Sequence, residues 1–150
     1  MKMRFLRTLF LLAAVAPIYL HAQEMKVLVL DASSGNPQSG VKIQYFCTSP
    51  SLNSPNSAPV FTKSSGYANV PITCNDNEKV ELIVLPPDPK EQCGELPPLS
   101  IKEISSTGVL ANPGAAGNIW CSDKIRKKMK PTPGQITLFV KRPTWFQSHF

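Results

Sequence analysis

Histidine is almost missing from this 150-residue chain, which has only His21 and His149. His21 falls in the leader described below. His149 is next to the last residue, and chain ends seldom hold a side chain in place. A nucleophile paired with a histidine base therefore has little to build on. No Gly-x-Ser-x-Gly elbow occurs. The four cysteines, Cys47, Cys74, Cys93 and Cys121, include no close Cys-x-x-Cys pair, which argues against a zinc site. No apolar run reaches the roughly 20 residues of a membrane-spanning helix. No long amphipathic helix and no internal repeat can be read. These absences lead us to expect no catalytic residue, no cofactor and no metal.

What is present begins with a leader. Lys2, Arg4 and Arg7 precede the apolar run Leu9 to Ile18, and Leu20-His21-Ala22 offers a small residue for cleavage. That order is the pattern of a secretory signal peptide over residues 1–22, cut after Ala22. No cysteine lies near the cut, so a lipid anchor there is not expected. Export and an even cysteine count predict two disulfides. Four cysteines allow three pairings. Cys47–Cys74 with Cys93–Cys121 is favoured, since each bond then closes one irregular stretch.

The charge is uneven. The whole chain carries a formal +6. Residues 23–121 hold six basic and nine acidic side chains, while residues 122–150 hold seven basic ones and only Asp123. The basic character is local: Lys124, Arg126, Lys127, Lys128 and Lys130, then Lys141 and Arg142.

Between these ends the chain alternates short apolar runs with turn residues. Lys26–Asp31 and Val41–Phe46 read as strands around a loop containing Gly35, Pro37 and Gly40. The first is apolar on both faces, which places it deep in a sheet. Residues 48–58 form a Ser-, Pro- and Asn-rich loop. Val60–Lys63 and Tyr67–Ile72 read as a β-hairpin turning at Gly66, with Pro71 marking an edge strand. Lys79–Leu85 is a further strand, and Leu99–Ser105 a weaker one. Residues 119–130 are the one place for a short helix, capped by Ser122 or Asp123. Gln135–Arg142 is the last strand, with Ile136, Leu138 and Val140 inward. The pattern predicts an all-β antiparallel sandwich over residues 23–142, followed by a basic, aromatic tail over 143–150.

Val27-Leu28-Val29-Leu30-Asp31, then Gly40-Val41-Lys42-Ile43, then Thr62-Lys63-Ser64-Ser65-Gly66-Tyr67-Ala68-Asn69-Val70 resembles the carboxypeptidase regulatory-like domain. The likeness covers about Met25 to Leu85, and Ser65 stands where that family usually has Asp. It implies a transthyretin-like (prealbumin-like) sandwich of about seven strands, with an accessory role in a secreted or periplasmic protein. It carries no catalytic residue over to this chain. Related sandwich enzymes need several histidines, or two Tyr and two His around iron, and the chain after the expected cut, with Tyr45, Tyr67 and His149 alone, cannot supply either set.

Two surfaces remain to be weighed. The carboxylate pairs Asp76 with Glu78 and Glu91 with Glu95 lie in polar turns and read as solvated loops rather than acid–base dyads. The basic cluster Lys124, Arg126, Lys127, Lys128 and Lys130, with Lys141, Arg142 and Trp145, would suit an anionic lipid or acidic glycan, the indole of Trp145 wedging or stacking. The opposing reading is a solvated face, with Trp145 and Phe146 packed on the end of the sandwich. The sequence therefore leads to a secreted or periplasmic, non-catalytic binding or structural protein. The alternatives are an envelope-surface binder acting through its basic end, and a hydrolase with an unrecognised site. An envelope protein, anionic glycan or lipid surface is the expected partner, and nucleic acid is not.

Overall fold

The computed structural model describes residues 23–48, 58–94, 96–112 and 121–142. Among these residues, nine strands form two sheets. The elements in chain order are β1 (Gln23–Asp31), β2 (Lys42–Thr48), β3 (Val60–Phe61), β4 (Tyr67–Ile72), β5 (Lys79–Leu85), β6 (Glu91–Cys93), β7 (Leu99–Ser100), α1 (Ile101–Ser106), β8 (Val109–Leu110), a 3₁₀ turn at Arg126–Lys128, and β9 (Gln135–Lys141). The first sheet runs β4-β1-β9-β6, with β8 also on β9. The second runs β3-β2-β5-β7. The architecture is an all-β sandwich. The leader, the loop over 49–57 and the tail with Trp145, Phe146 and His149 lie outside the described residues.

The register explains why β1 is apolar on both faces. Met25 and Val27 align with Val70 and Ala68 of β4, and Val27 and Val29 with Ile136 and Leu138 of β9. These side chains form one face of the sheet and pack inward with Ile43, Tyr45, Val80 and Val84 of the second sheet. Leu28 and Leu30 fall on the other face, level with Thr137 and Phe139, and they too are buried. The sandwich is not wholly antiparallel as expected: β9 runs parallel to both β1 and β8, and β1 and β9 lie in the middle of the sheet, the setting in which strands are covered on both sides. Ile136, Leu138 and Val140 point inward as the alternation predicts. Thr137 and Phe139 are buried as well, because the outer face has a cover.

That cover is the chain after Cys121. Cys93 aligns with Phe139 and so lies on the outer face, where it is bonded to Cys121. Beyond the bond, Ile125 and Met129 are half-buried against the core, and a Cβ on Gly35 would come within 3.3 Å of Ile125. The other bond, Cys47–Cys74, ties β2 to the chain just past β4, joining the two sheets. Both favoured pairings are therefore the ones formed, and among the described residues no cysteine is free.

Three local expectations are corrected. Val60–Lys63 and Tyr67–Ile72 are not the arms of a hairpin within one sheet: β3 pairs with β2, and β4 with β1. The turn itself is where expected, closed by Gly66 N–H to Lys63 O at 2.9 Å, with Gly66 at φ 77°. It passes so close to β1 that a Cβ there would meet Val29 O at 2.8 Å. It is a crossing between sheets. Leu99–Ser105 is a strand only over Leu99–Ser100. Ser100 then caps α1, its Oγ accepting from Glu103 N–H at 3.1 Å, and Ile101 and Ile104 are buried. The short helix expected in 119–130 is reduced to the 3₁₀ turn, before which Ser122 Oγ accepts from Lys124 N–H.

The loops are latched by side chains. Asp31 Oδ1 accepts from the N–H groups of Ser33 and Ser34, at 2.9 and 2.8 Å, which makes the strand-ending Asp a turn-former. Thr62, buried, donates to Gln38 O at 2.7 Å and accepts from Val41 N–H at 3.0 Å. That double bond fixes the entry to β2.

Candidate binding surfaces

The basic segment is built around its apolar residues. Ile125 and Met129 face the core, which turns Lys124, Lys127, Lys128 and Lys130 to solvent. Not all of this charge is available. Lys127 Nζ lies 2.8 Å from Asp123 Oδ2. That bond, with the charge of Lys127, holds the Asp123 carboxyl below its ordinary range. A lowered carboxylate pKa contributes stability above its unfolded value and loses it as the pH falls through the folded one. The pair therefore holds at neutral pH and weakens only in strong acid. Arg126 is half-buried, and its Nε is sealed without a hydrogen-bond partner among the described residues.

Lys141 and Arg142 stand apart from this turn, at the end of β9. Lys141 aligns with Glu91 of β6, and Arg142 is exposed. The structure thus brings Lys124 through Lys130 together on one turn. It leaves Lys124, Lys128 and Lys130 as exposed cations outside the Asp123 pair. Trp145 lies outside the described residues.

The candidate carboxylates have structural work. Glu78 Oε2 accepts from Asn75 N–H at 2.7 Å, and Glu78 N–H donates to Asn75 O. The Asp76–Glu78 stretch is a closed turn. Glu91 sits opposite Lys141, and Glu95 lies outside the described residues. The sulfurs of Cys47 and Cys74 lie with the Glu78 carboxylate within 4.8 Å of one another. Both sulfurs are tied up in a disulfide and offer no thiolate to a metal.

No family model, curated protein or solved structure matches this chain.

The two outer faces differ. On the first sheet the outer face is covered around Leu28, Leu30 and Phe139. On the second, Lys42 aligns with both Phe61 and Leu85, so the three share one outward row. Phe61 is 57% and Leu85 49% exposed. Gln44 aligns with Ile83, and Phe46 with Glu81, in the next rows; Ile83 and Phe46 are half-buried. An aromatic and aliphatic row interrupted by one lysine thus faces solvent. The two disulfides suggest an oxidising environment for the chain. Among the described residues no helix is long and apolar enough to cross a membrane.

Proposed function

We propose that this chain is a secreted or periplasmic, non-catalytic β-sandwich of the transthyretin-like kind, acting as a binding or structural accessory to an envelope protein. The observation that carries the reading is the outward row Phe61–Lys42–Leu85. Large apolar side chains grouped on an exposed sheet face mark contact surfaces more often than single exposed residues do. The transthyretin-like assignment draws support from the Asp31 turn, the Thr62 latch and the Gly66 crossing, all within the stretch that carries the family resemblance. The signal-like leader and the two disulfides support export.

A photoreactive residue at Phe61 or Leu85 is expected to give a discrete protein adduct when the exported protein is irradiated in its own envelope. The same residue at Lys102, exposed on α1, is expected to give none. Equal labelling at all three positions would remove the reading.

A second reading concerns anionic surfaces. It is favoured by the exposed Lys124, Lys128 and Lys130 on a segment pinned by the Cys93–Cys121 bond. Substituting all three by Gln is expected to abolish binding to phosphatidylglycerol vesicles while leaving the melting temperature nearly unchanged. Wild-type binding should weaken steeply with salt, since the Debye length is only about 8 Å at physiological ionic strength. Vesicle binding that survives the triple substitution would eliminate this reading.

A further inference from the structure

Where the chain after Cys121 does not cover it, the outer face of the first sheet is polar. Lys26 aligns with Asn69 of β4 on one side and Gln135 of β9 on the other. Three polar side chains therefore stand in one row across three strands. Tyr67 stands in the next row on β4, level with Leu28. These four residues line a concavity of about 280 Å³.

Among the described residues, the Lys26 ammonium, the Asn69 amide and the Tyr67 hydroxyl make no ion pair or hydrogen bond. Gln135 is buried, and its Nε2 donates to Thr137 Oγ1 at 2.9 Å. That bond fixes the amide and leaves Oε1 as its acceptor for the groove.

We propose that this groove binds an acidic saccharide. Its carboxylate would pair with Lys26, its hydroxyls with Asn69 and Gln135, and a ring face would lie against Tyr67. The chemistry of the set selects this class. An ammonium offers only donors, which suits a carboxylate, whereas an amide both donates and accepts, as a sugar hydroxyl does. An aromatic ring with a polar tip adds an apolar contact without excluding water. Neighbouring strands lie about 4.8 Å apart, so the row spans on the order of 10 Å. That is the scale of sugar rings rather than of a point anion. The inference is independent of the basic segment and of the second-sheet row.

The test is a titration of the intact, disulfide-bonded protein followed by amide chemical shifts, with tetragalacturonate, neutral maltotetraose and acetate as probes. Tetragalacturonate is expected to move the signals of Lys26, Tyr67, Asn69 and Gln135 and to bind at least about tenfold more tightly than maltotetraose. That factor is what loss of one charge-assisted hydrogen bond represents. Lys26→Gln should weaken it by about tenfold, and Asn69→Ala by several-fold. Both positions are exposed, so unchanged melting curves will show that the variants fold. A variant carrying Lys124→Gln and Lys128→Gln should bind normally. The proposal is overturned by no shift at these residues at millimolar ligand, by equal affinity for the neutral oligomer, or by acetate matching the acidic one. It is equally overturned if binding is lost in the Lys124/Lys128 variant and kept in Lys26→Gln.

Discussion

Gly108→Ala is expected to cost about 2–5 kcal/mol and to leave the protein near the margin of folding. Gly108 follows α1 with φ 76°, and its N–H reaches back to Glu103 O and Ile104 O at 3.1 Å. It is the left-handed residue that stops the helix. An L side chain in that conformation costs about 1–2 kcal/mol. The larger part is steric. A Cβ would collide with Thr132 O and Thr132 C, both main-chain atoms that no rotamer change can move. Forcing such groups apart costs about 1–3 kcal/mol more. The strain would also travel. Thr132 O accepts from Gln135 N–H, and Gly134 N–H donates to Ile104 O, so this contact clamps α1 to the start of β9. Domains of this kind are stable by only about 5–15 kcal/mol. Gly40→Ala is the control. Gly40 has φ 74°, but nothing lies within 4 Å of its Cβ position, so it carries the conformational cost alone. Urea midpoints should separate the two variants clearly, and similar midpoints would mean that α1 and β9 do not approach so closely.

The close contact at Gly108 shows what the sequence could and could not reveal. Strands β1, β2, β5 and β9 are legible because their apolar residues alternate or run unbroken between Pro and Gly. The helix α1 reads as a strand, although Ser100-x-x-Glu103 and Gly108 supply a cap and a stop. Leu99 and Ile101 imitate strand alternation, and six residues are too short for the helical period to overrule it. Sheet membership was not legible. The turn at Gly66 has the same local chemistry whether its arms stay in one sheet or part into two, and only long-range pairing decides. The parallel pairing of β1 with β9 joins the two ends of the domain, which no local pattern announces. The basic segment was visible as composition, but the roles of Ile125 and Met129 as its anchors depend on Cys93 lying on the outer face. The groove was hidden altogether. Lys26, Asn69 and Gln135 are scattered along the chain and become neighbours only through two strand registers.

Removing the Cys93–Cys121 bond, by Ala at both positions, is expected to have a different character from removing Cys47–Cys74. The two loops are almost equal, with sequence separations of 28 and 27. Chain entropy alone therefore predicts nearly the same loss for each, about 3–4 kcal/mol. The places differ. Cys47–Cys74 joins the sheets to each other, so its loss weakens the sandwich as a whole. Cys93–Cys121 fastens a cover, so its loss frees the chain over 121–130 to leave the outer face of the first sheet. What remains to hold that cover is Ile125 and Met129, both only half-buried, against Gly35 and the core. Local release of such a segment costs less than global unfolding, and it uncovers Leu28, Leu30 and Phe139. Limited trypsin digestion reads this directly, because Lys124, Arg126, Lys127 and Lys128 are all cleavage positions, whereas Lys130 is shielded by the following Pro131. In the Cys93/Cys121 variant these sites should be cut well before the rest of the domain, with a parallel rise in binding of an apolar dye. In the Cys47/Cys74 variant cleavage should track global unfolding, with no early cut in this segment. If both variants are cut there at the same rate, the bond does not hold a cover. The burial of Leu28, Leu30 and Phe139 would then need another source.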